Sequence, residues 1–209
     1  MSNIYRFESF TTSNCYVVSL NNSNICYVVD LPPDFNSVLD YIKSKNFSIG
    51  AVFLTHGHYD HSLGLNVYND GNVFMNLDDE FLARNPAEQL KSFMFNDEIS
   101  LEKHEGKINN IDNYEDENLI VYKNPGHTKG SISFLFEEIG TVFTGDFVFA
   151  EGIGRTDLYS GDLHQMKESI KNVFLPLRDD YEVYPGHGKS DTVKNILNYN
   201  SYLKEFIND

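Results

Sequence analysis

The segment from His56 to His61 places three histidines and one aspartate within six positions. Neutral imidazole offers a lone pair near pH 7 and a carboxylate adds negative charge, so these residue types are typical metal ligands. Residues two apart in an extended or turning loop project to the same side. His56 and His58 can therefore share one ion, while Asp60 and His61 turn toward another. A histidine-rich surface turn is the alternative, but four such residues at this spacing favour a metal site.

Three further candidate ligands lie later in the chain, each after an apolar strand and a glycine. They are His127, Asp146 and His187, in the segments 124–128, 144–146 and 184–188. Glycine removes steric obstruction and lets the backbone approach an ion closely. One such turn alone would be unremarkable, but three of them beside the histidine-rich segment make coincidence a poor explanation. We therefore predict one site with two metal ions, and we interpret the remaining histidines, His104 and His164, as surface residues.

The elements that position these ligands are predicted from the apolar pattern. The ligand segment follows a continuous apolar run, Ile49 to Leu54, which is typical of a buried strand. The other predicted strands are Ile4 to Phe10, Asn14 to Leu20, Ile25 to Val29, Leu119 to Tyr122, Ser131 to Phe136, Thr141 to Thr144 and Tyr181 to Tyr184. Helices are predicted from Phe35 to Ile42, Asp78 to Arg84, Ala87 to Phe93, Leu163 to Phe174 and Val193 to Phe206. A hairpin turn is predicted at Asn21 to Asn24. This order favours two sheets covered by helices.

Composition limits the kind of protein that can carry such a site. A chain of 209 residues with 41% hydrophobic residues fits a single domain over residues 1–209. Its net charge of −15 argues against nucleic acid as a partner, because phosphate backbones need a basic surface. No apolar run is long enough to span a membrane, and the N-terminal segment lacks a targeting signal. We expect a cytoplasmic protein with reduced cysteines, Cys15 and Cys26, in packing roles.

The order of these motifs resembles the metallo-β-lactamase superfamily, over nearly the whole chain from Asn14 to His187. The resemblance implies an α/β fold, a four-layer αββα sandwich with the metal site at the edge of the two sheets. It also implies a division of the ligands. The first metal would take His56, His58 and His127, the second would take Asp60, His61 and His187, and Asp146 would bridge both. The early aspartate of the family corresponds to Asp30, with a structural or loop-orienting role and not a ligand role.

Within the superfamily, the segments 125–131 and 145–157 are similar to those of glyoxalase II, the hydroxyacylglutathione hydrolases. The resemblance implies a small-molecule thioester like S-D-lactoylglutathione, cleaved by a metal-bound hydroxide, with Asp60 and Asp146 as catalytic carboxylates. It implies two divalent ions, with zinc as first choice and iron or manganese as alternatives. Arg155 takes the place of a basic residue that binds the substrate anion; a buried structural ion pair, with Asp157 as partner, is its other interpretation. Because few residues follow His187, we expect the helical C-terminal domain of full-length glyoxalase II to be absent.

Two other activities stay open on the same ligands. One is hydrolysis of a lactone or another ester, which needs the same water activation. The other is persulfide dioxygenation, which would use a single iron on the ligands of the first metal. The segment between Ala83 and Asn118 is the predicted location of a loop that closes over the substrate.

Overall fold

The computed structural model describes residues 2–68, 70–94 and 98–208. The chain is mixed α/β and divides into two compact units, Met1–Tyr114 and Glu115–Asp209. Each unit has its own sheet and its own apolar core. Two sheets accompanied by helices agree with the predicted fold class. The organisation of residues 1–209 as one folding domain stays a prediction.

The first unit holds a six-stranded sheet among the described residues, in the order β1-β2-β3-β4-β5-β6. Its strands are β1 (Asn3–Glu8), β2 (Asn14–Ser19), β3 (Ile25–Val29), β4 (Ser48–Phe53), β5 (Val73–Met75) and β6 (Asn109–Asn110). Its helices are α1 (Phe35–Ser44), α2 (Tyr59–Ser62), α3 (Glu80–Arg84) and α4 (Pro86–Met94). Short 3₁₀ turns occupy Leu63–Asn66, Leu77–Asp79 and Ile111–Asn113. The strands from β3 onward pair in parallel, as crossover connections require.

The hairpin between β2 and β3 confirms the predicted turn. Asn21 and Asn22 both have left-handed backbones, with φ of 52° and 56°. The Ser23 N–H donates to the Leu20 carbonyl at 2.9 Å. Two successive left-handed residues form a primed turn, whose twist matches that of the strands it joins. The asparagines therefore set the pairing of β2 with β3, the strand that lies next to β4 and the ligand segment.

The core of the first unit lies between its sheet and α1. This helix buries Phe35, Val38 and Ile42 on one face, at the spacing that predicted it. Cys15 and Cys26 are buried in the same core as free thiols, which confirms their packing role. The fully buried strand β2 and the buried end of β4 give the loop after β4 a rigid base.

The second unit holds a five-stranded sheet among the described residues, in the order β11-β10-β9-β8-β7. Its strands are β7 (Leu119–Lys123), β8 (Ile132–Phe136), β9 (Thr141–Gly145), β10 (Glu182–Pro185) and β11 (Asp191–Thr192). Its helices are α5 (Leu163–Ser169), continued by a π-helical turn over Ile170–Phe174, then α6 (Val193–Tyr199) and α7 (Ser201–Asn208). A 3₁₀ turn occupies Glu137–Ile139. Parallel pairing of β9 and β10 brings the carboxyl ends of both strands to the same edge.

The C-terminal helix predicted from Val193 to Phe206 is wrong as a single element, because Asn200 interrupts it. This buried side chain accepts from the N–H groups of Tyr202 and Leu203 at 3.1 and 3.2 Å and so caps α7. Its amide donates to the carbonyls of Phe149 and Gly152 at 3.1 and 2.9 Å. The break in the helix thus anchors the loop that follows Asp146. In the part of the chain that the structure describes, no helix has the length and apolar character to cross a membrane.

Candidate metal centre

The histidine-rich segment forms a compact ligand loop, residues 55–61, directly after β4. His56, His58 and His61 are buried, with exposed fractions of 1%, 8% and 0%. The ligand atoms of His56 and His58 lie within 4.8 Å of each other, and so do those of Asp60 and His61. The structure therefore brings the four side chains into one His/Asp cluster that could hold a metal. Their individual roles as ligands stay predictions.

Asp30 organises this loop from the end of β3. Its carboxylate accepts the N–H of Thr55 at 2.8 Å and the hydroxyl of the same residue at 2.8 Å. It also accepts from Nδ1 of His61 at 2.8 Å. The Asp30 backbone is left-handed, with φ of 64°, a conformation that costs energy and that the surrounding contacts hold. This orienting role agrees with the one that the family resemblance implies.

These contacts fix the tautomers of two histidines. Because a carboxylate only accepts, Nδ1 of His61 donates, and its Nε2 carries the lone pair. The single hydroxyl proton of Thr55 goes to Asp30, so the hydroxyl oxygen accepts from Nδ1 of His56 at 3.0 Å. His56 therefore also carries its lone pair on Nε2. Thr55 is a functional residue that sequence reasoning missed, although its position immediately before the first histidine was a usable signal.

The second unit brings together the three later candidates, each beyond the end of a strand. One carboxylate oxygen of Asp146 lies 3.5 Å from Nε2 of His127 and 3.5 Å from Nε2 of His187. Nδ1 of His127 donates to the Arg155 carbonyl at 2.7 Å, which leaves the lone pair on Nε2. The side chain of His187 is 28% exposed, so this cluster is more open than the ligand loop.

At Gly154 the chain passes close to Asp146 and His127, and this close approach makes the arrangement possible. A Cβ at this position would lie 1.8 Å from the Asp146 carbonyl oxygen and 3.0 Å from Nδ1 of His127. The Gly154 N–H donates to the Phe147 carbonyl at 3.2 Å. Only glycine fits, and the turn then presents the next carbonyl, that of Arg155, to His127. The backbone, more than any side-chain brace, thus sets the position of this cluster.

The Arg155 side chain lies on the surface next to Asp157. Its guanidinium donates two hydrogen bonds to that carboxylate, at 2.7 and 2.8 Å. The hydrogen bonds lower the pKa of Asp157 to about 2, and the same contact raises the pKa of Arg155. Both side chains are more than half exposed. The ion pair considered for Arg155 is therefore present, but it is exposed, and the group remains reachable by a solute.

The prediction that His104 is a surface residue is wrong. Its side chain is buried, with an exposed fraction of 4%, and burial followed by the nearby Arg84 lowers its pKa. The Arg84 guanidinium donates to the carbonyls of His104 and Gly106 at 3.0 and 2.9 Å, which fastens this irregular segment onto α3. The polar neighbours in the sequence gave no sign of this long-range contact. His164 is exposed, as predicted.

The donor set fits divalent metal ions. Three histidines, His56, His61 and His127, donate through Nδ1 to a protein acceptor, which places the lone pair on Nε2, the atom that would bind a metal ion. Metal-binding histidines are held in this way, because the second nitrogen fixes both ring orientation and tautomer. Carboxylates lie beside these rings, at 3.6 Å between Asp60 and His61 and at 3.5 Å between Asp146 and His127. A mixed nitrogen and oxygen set of this kind accepts zinc, iron or manganese.

Comparison with known proteins gives a consistent picture. The family model described as metallo-beta-lactamase superfamily matches residues 9–187. The hydroxyacylglutathione hydrolase GloC of Haemophilus influenzae is 30% identical over 204 residues, which cover 91% of this chain and 92% of that protein. The structure of the BLEG-1 B3 metallo-beta-lactamase is similar in fold, with a TM-score of 0.80, 24% identity and coverage of 97% and 99% of the two chains. A di-iron-bound structure of TTHA1623 has a TM-score of 0.82, 22% identity and coverage of 95% and 100%. The predicted fold class is confirmed.

Proposed function

The chain belongs to the metallo-beta-lactamase superfamily as a metal-dependent hydrolase, and we propose that it cleaves a thioester of the S-D-lactoylglutathione type with two divalent metal ions. The observation that carries this proposal is the orientation of three histidines whose Nδ1 atoms are used by protein acceptors. The thioester as substrate is supported by the similarity to GloC, which extends over nearly the full length of both chains.

The proposed ligands divide into two groups with one shared member. His56, His58 and His127 would hold the first ion, and Asp60, His61 and His187 would hold the second. Asp146 would contribute to both. In the first unit His56 lies close to His58 and Asp60 lies close to His61, as this division requires, and His56 lies close to His61 as well. In the second unit, the equal distances from Asp146 to His127 and His187 suit a carboxylate that serves two ions.

Bound divalent ions would supply a water of lowered pKa and polarise the substrate carbonyl. The chain's own groups do the rest. Asp60 and Asp146 orient the attacking water and accept its proton, for which their partly exposed carboxylates are suited. Asp30 keeps His61 and, through Thr55, His56 in the required tautomer. Arg155, exposed beside Asp157, binds an anionic group of the substrate.

The proposed metal is zinc, with iron or manganese as alternatives that the same donors accept. The proposed location is the cytoplasm, where thiols stay reduced; the two free cysteines agree with this. Ester or lactone hydrolysis and persulfide dioxygenation are the alternative activities, and an assay must distinguish them from thioester hydrolysis.

The decisive experiment is hydrolysis of S-D-lactoylglutathione by protein loaded separately with zinc, iron or manganese. We expect turnover with at least one metal, and its loss in Asp60→Ala. The matched control is Asp112→Ala, which removes an exposed carboxylate of the same unit and should leave turnover unchanged.

Two results would redirect the assignment. Turnover of lactones or simple esters without thioester cleavage would favour the ester hydrolase. Oxygen consumption with a persulfide, seen only in the iron-loaded protein, would favour the dioxygenase.

A further inference from the structure

The peptide groups on either side of His58 are held by one side chain from outside the ligand loop. The Oε1 atom of Gln89, on α4, accepts the Tyr59 N–H at 3.0 Å. The Nε2 atom of the same amide donates to the Gly57 carbonyl at 3.0 Å. Since these two backbone groups flank His58, the Gln89 amide restricts the orientation of both peptide planes that carry this ligand.

The start of helix α2 needs a hydrogen-bond acceptor from outside the ligand loop. Helix α2 begins directly after His58, whose side chain makes no capping hydrogen bond to the helix. The first N–H groups of a helix have no partner within the helix and need one from elsewhere. A serine or aspartate in place of His58 would accept from a later N–H group of the helix, not from that of Tyr59, and could not provide an imidazole ligand. Gln89 instead accepts the Tyr59 N–H.

Gly57, the residue before His58, is also held by close contacts. The Gly57 N–H donates to the carboxylate of Asp79, which is completely buried, at 3.0 Å. A Cβ on Gly57 would lie 2.6 Å from the Asp79 carbonyl oxygen and 2.7 Å from Cβ of Leu82. Gln89 also donates to the Leu82 carbonyl at 2.7 Å. The Gln89 amide thus links α4 to the ligand loop and to α3.

We propose that Gln89 is a positioning residue that holds the backbone around His58 in the shape required for metal binding. The inference rests on the proposed metal centre and adds to it a residue that lies outside every ligand motif. A ligand whose backbone can rotate must be ordered when the ion binds, which weakens affinity. Loss of an outer hydrogen-bonding partner of a metal ligand typically costs about 10–100-fold in affinity.

The test compares zinc affinity in Gln89→Met and in Gln165→Met. Methionine preserves the length and apolar body of the side chain and removes all three hydrogen bonds. Gln165 is exposed on α5, so the same substitution there controls for the chemical change. Zinc affinity and zinc release are measured by competition with a chromophoric chelator, and urea unfolding of the metal-free protein is measured alongside. We expect zinc binding about 10–100-fold weaker and faster release in Gln89→Met alone.

A second variant covers the case in which Gln89→Met does not fold. Gln89→Glu is isosteric and keeps an acceptor for the Tyr59 N–H, but its carboxylate cannot donate to the Gly57 and Leu82 carbonyls. It should also weaken zinc binding. The inference is overturned if the folded variants bind zinc as tightly as the wild type does. This holds whether or not their free energy of unfolding falls. If the wild type itself binds no zinc, iron or manganese, the metal centre of the proposed function is wrong.

Discussion

The two sets of candidate ligands are held by different means. In the first unit, four candidate ligands lie on one short loop, and the side chains of buried Asp30 and partly buried Gln89 brace its backbone. In the second unit, three ligands come from distant parts of the chain, and backbone geometry at strand ends and at Gly154 positions them. We therefore expect the side-chain braces of the first set to be exchangeable with graded loss. Gly57 in the first set and Gly154 in the second, by contrast, leave no room for a side chain.

The largest effect is expected from Gly154→Ala. The added methyl group would overlap the Asp146 carbonyl, at 1.8 Å, so the turn must move and take with it Asp146 and the carbonyl that orients His127. A displacement of about 1 Å in a reacting group can cost about 100-fold in rate. We expect kcat/KM for the thioester to fall by about that factor or more, measured together with thermal unfolding.

Gly152→Ala is the matched control for this substitution. It lies in the same turn, and its Cβ would meet nothing closer than 3.9 Å among the described atoms. Near-normal kinetics are expected. If Gly154→Ala also retains wild-type kcat/KM, the turn does not position the second set and the comparison fails.

Asp30→Asn tests the side-chain bracing of the first set. The amide nitrogen cannot accept, so at least one of the donors on Thr55 and His61 loses its partner in a buried place. Such a loss costs about 1–3 kcal/mol in the free energy of unfolding. It also releases the His61 tautomer, which nitrogen chemical shifts of the imidazole would report.

Asp40→Asn, an exposed position on α1, is the control and should leave unfolding and imidazole shifts unchanged. Unchanged His61 shifts in Asp30→Asn would contradict the proposed tautomer control.

The same contrast explains what the sequence could reveal. The ligand loop could be predicted because three histidines and one aspartate lie within six positions, and the strands could be predicted from apolar runs. The hairpin at Asn21 and Asn22 and the buried face of α1 followed from local rules. Where a structure depends only on neighbours in the chain, pattern and propensity suffice.

Features that depend on distant partners were not readable. Asn200 breaks a helix that its neighbours favour, because its amide binds carbonyls about fifty positions earlier. Gln89 looks like an ordinary polar helix residue until its contacts with the ligand loop are seen. The sequence around the two-residue strand at Asn109 shows no alternation of apolar and polar residues. The strand is held in place because the Asn109 side chain donates to the carbonyls of Gly71 and Val73.

A smaller effect is expected from His104, the buried histidine of the first unit outside the ligand loop. Its folded pKa lies below the ordinary 6.5 because burial and then the Arg84 charge disfavour protonation, while Glu105 opposes the shift. The unfolded chain therefore takes up this proton first as pH falls. The contribution of His104 is fully present above pH 6.5 and is lost as pH drops below 6.5 toward the lower folded pKa.

This loss is measured as the difference between the free energies of unfolding at about pH 7.5 and about pH 5.5. In His104→Gln, the difference in unfolding free energy between the two conditions should be smaller than in the wild type. His164→Gln, at an exposed site of the second unit, should match the wild type. An undiminished pH dependence in His104→Gln would show that other groups cause it.

The smallest effect on stability is expected at the exposed edge of the second unit, from Arg155→Met. Exposed ion pairs contribute little to folding, so no measurable change in unfolding is expected. If Arg155 binds the substrate anion as proposed, KM for S-D-lactoylglutathione should rise severalfold with little change in kcat, because only binding is lost. Arg178→Met is a matched control, since Arg178 forms the same exposed two-bond pair with Asp180, at 3.0 and 2.7 Å. If KM rises equally in both variants, the cause is the loss of a positive charge anywhere on the unit. If KM is unchanged in Arg155→Met, Arg155 does not bind the substrate and has only its ion pair to Asp157.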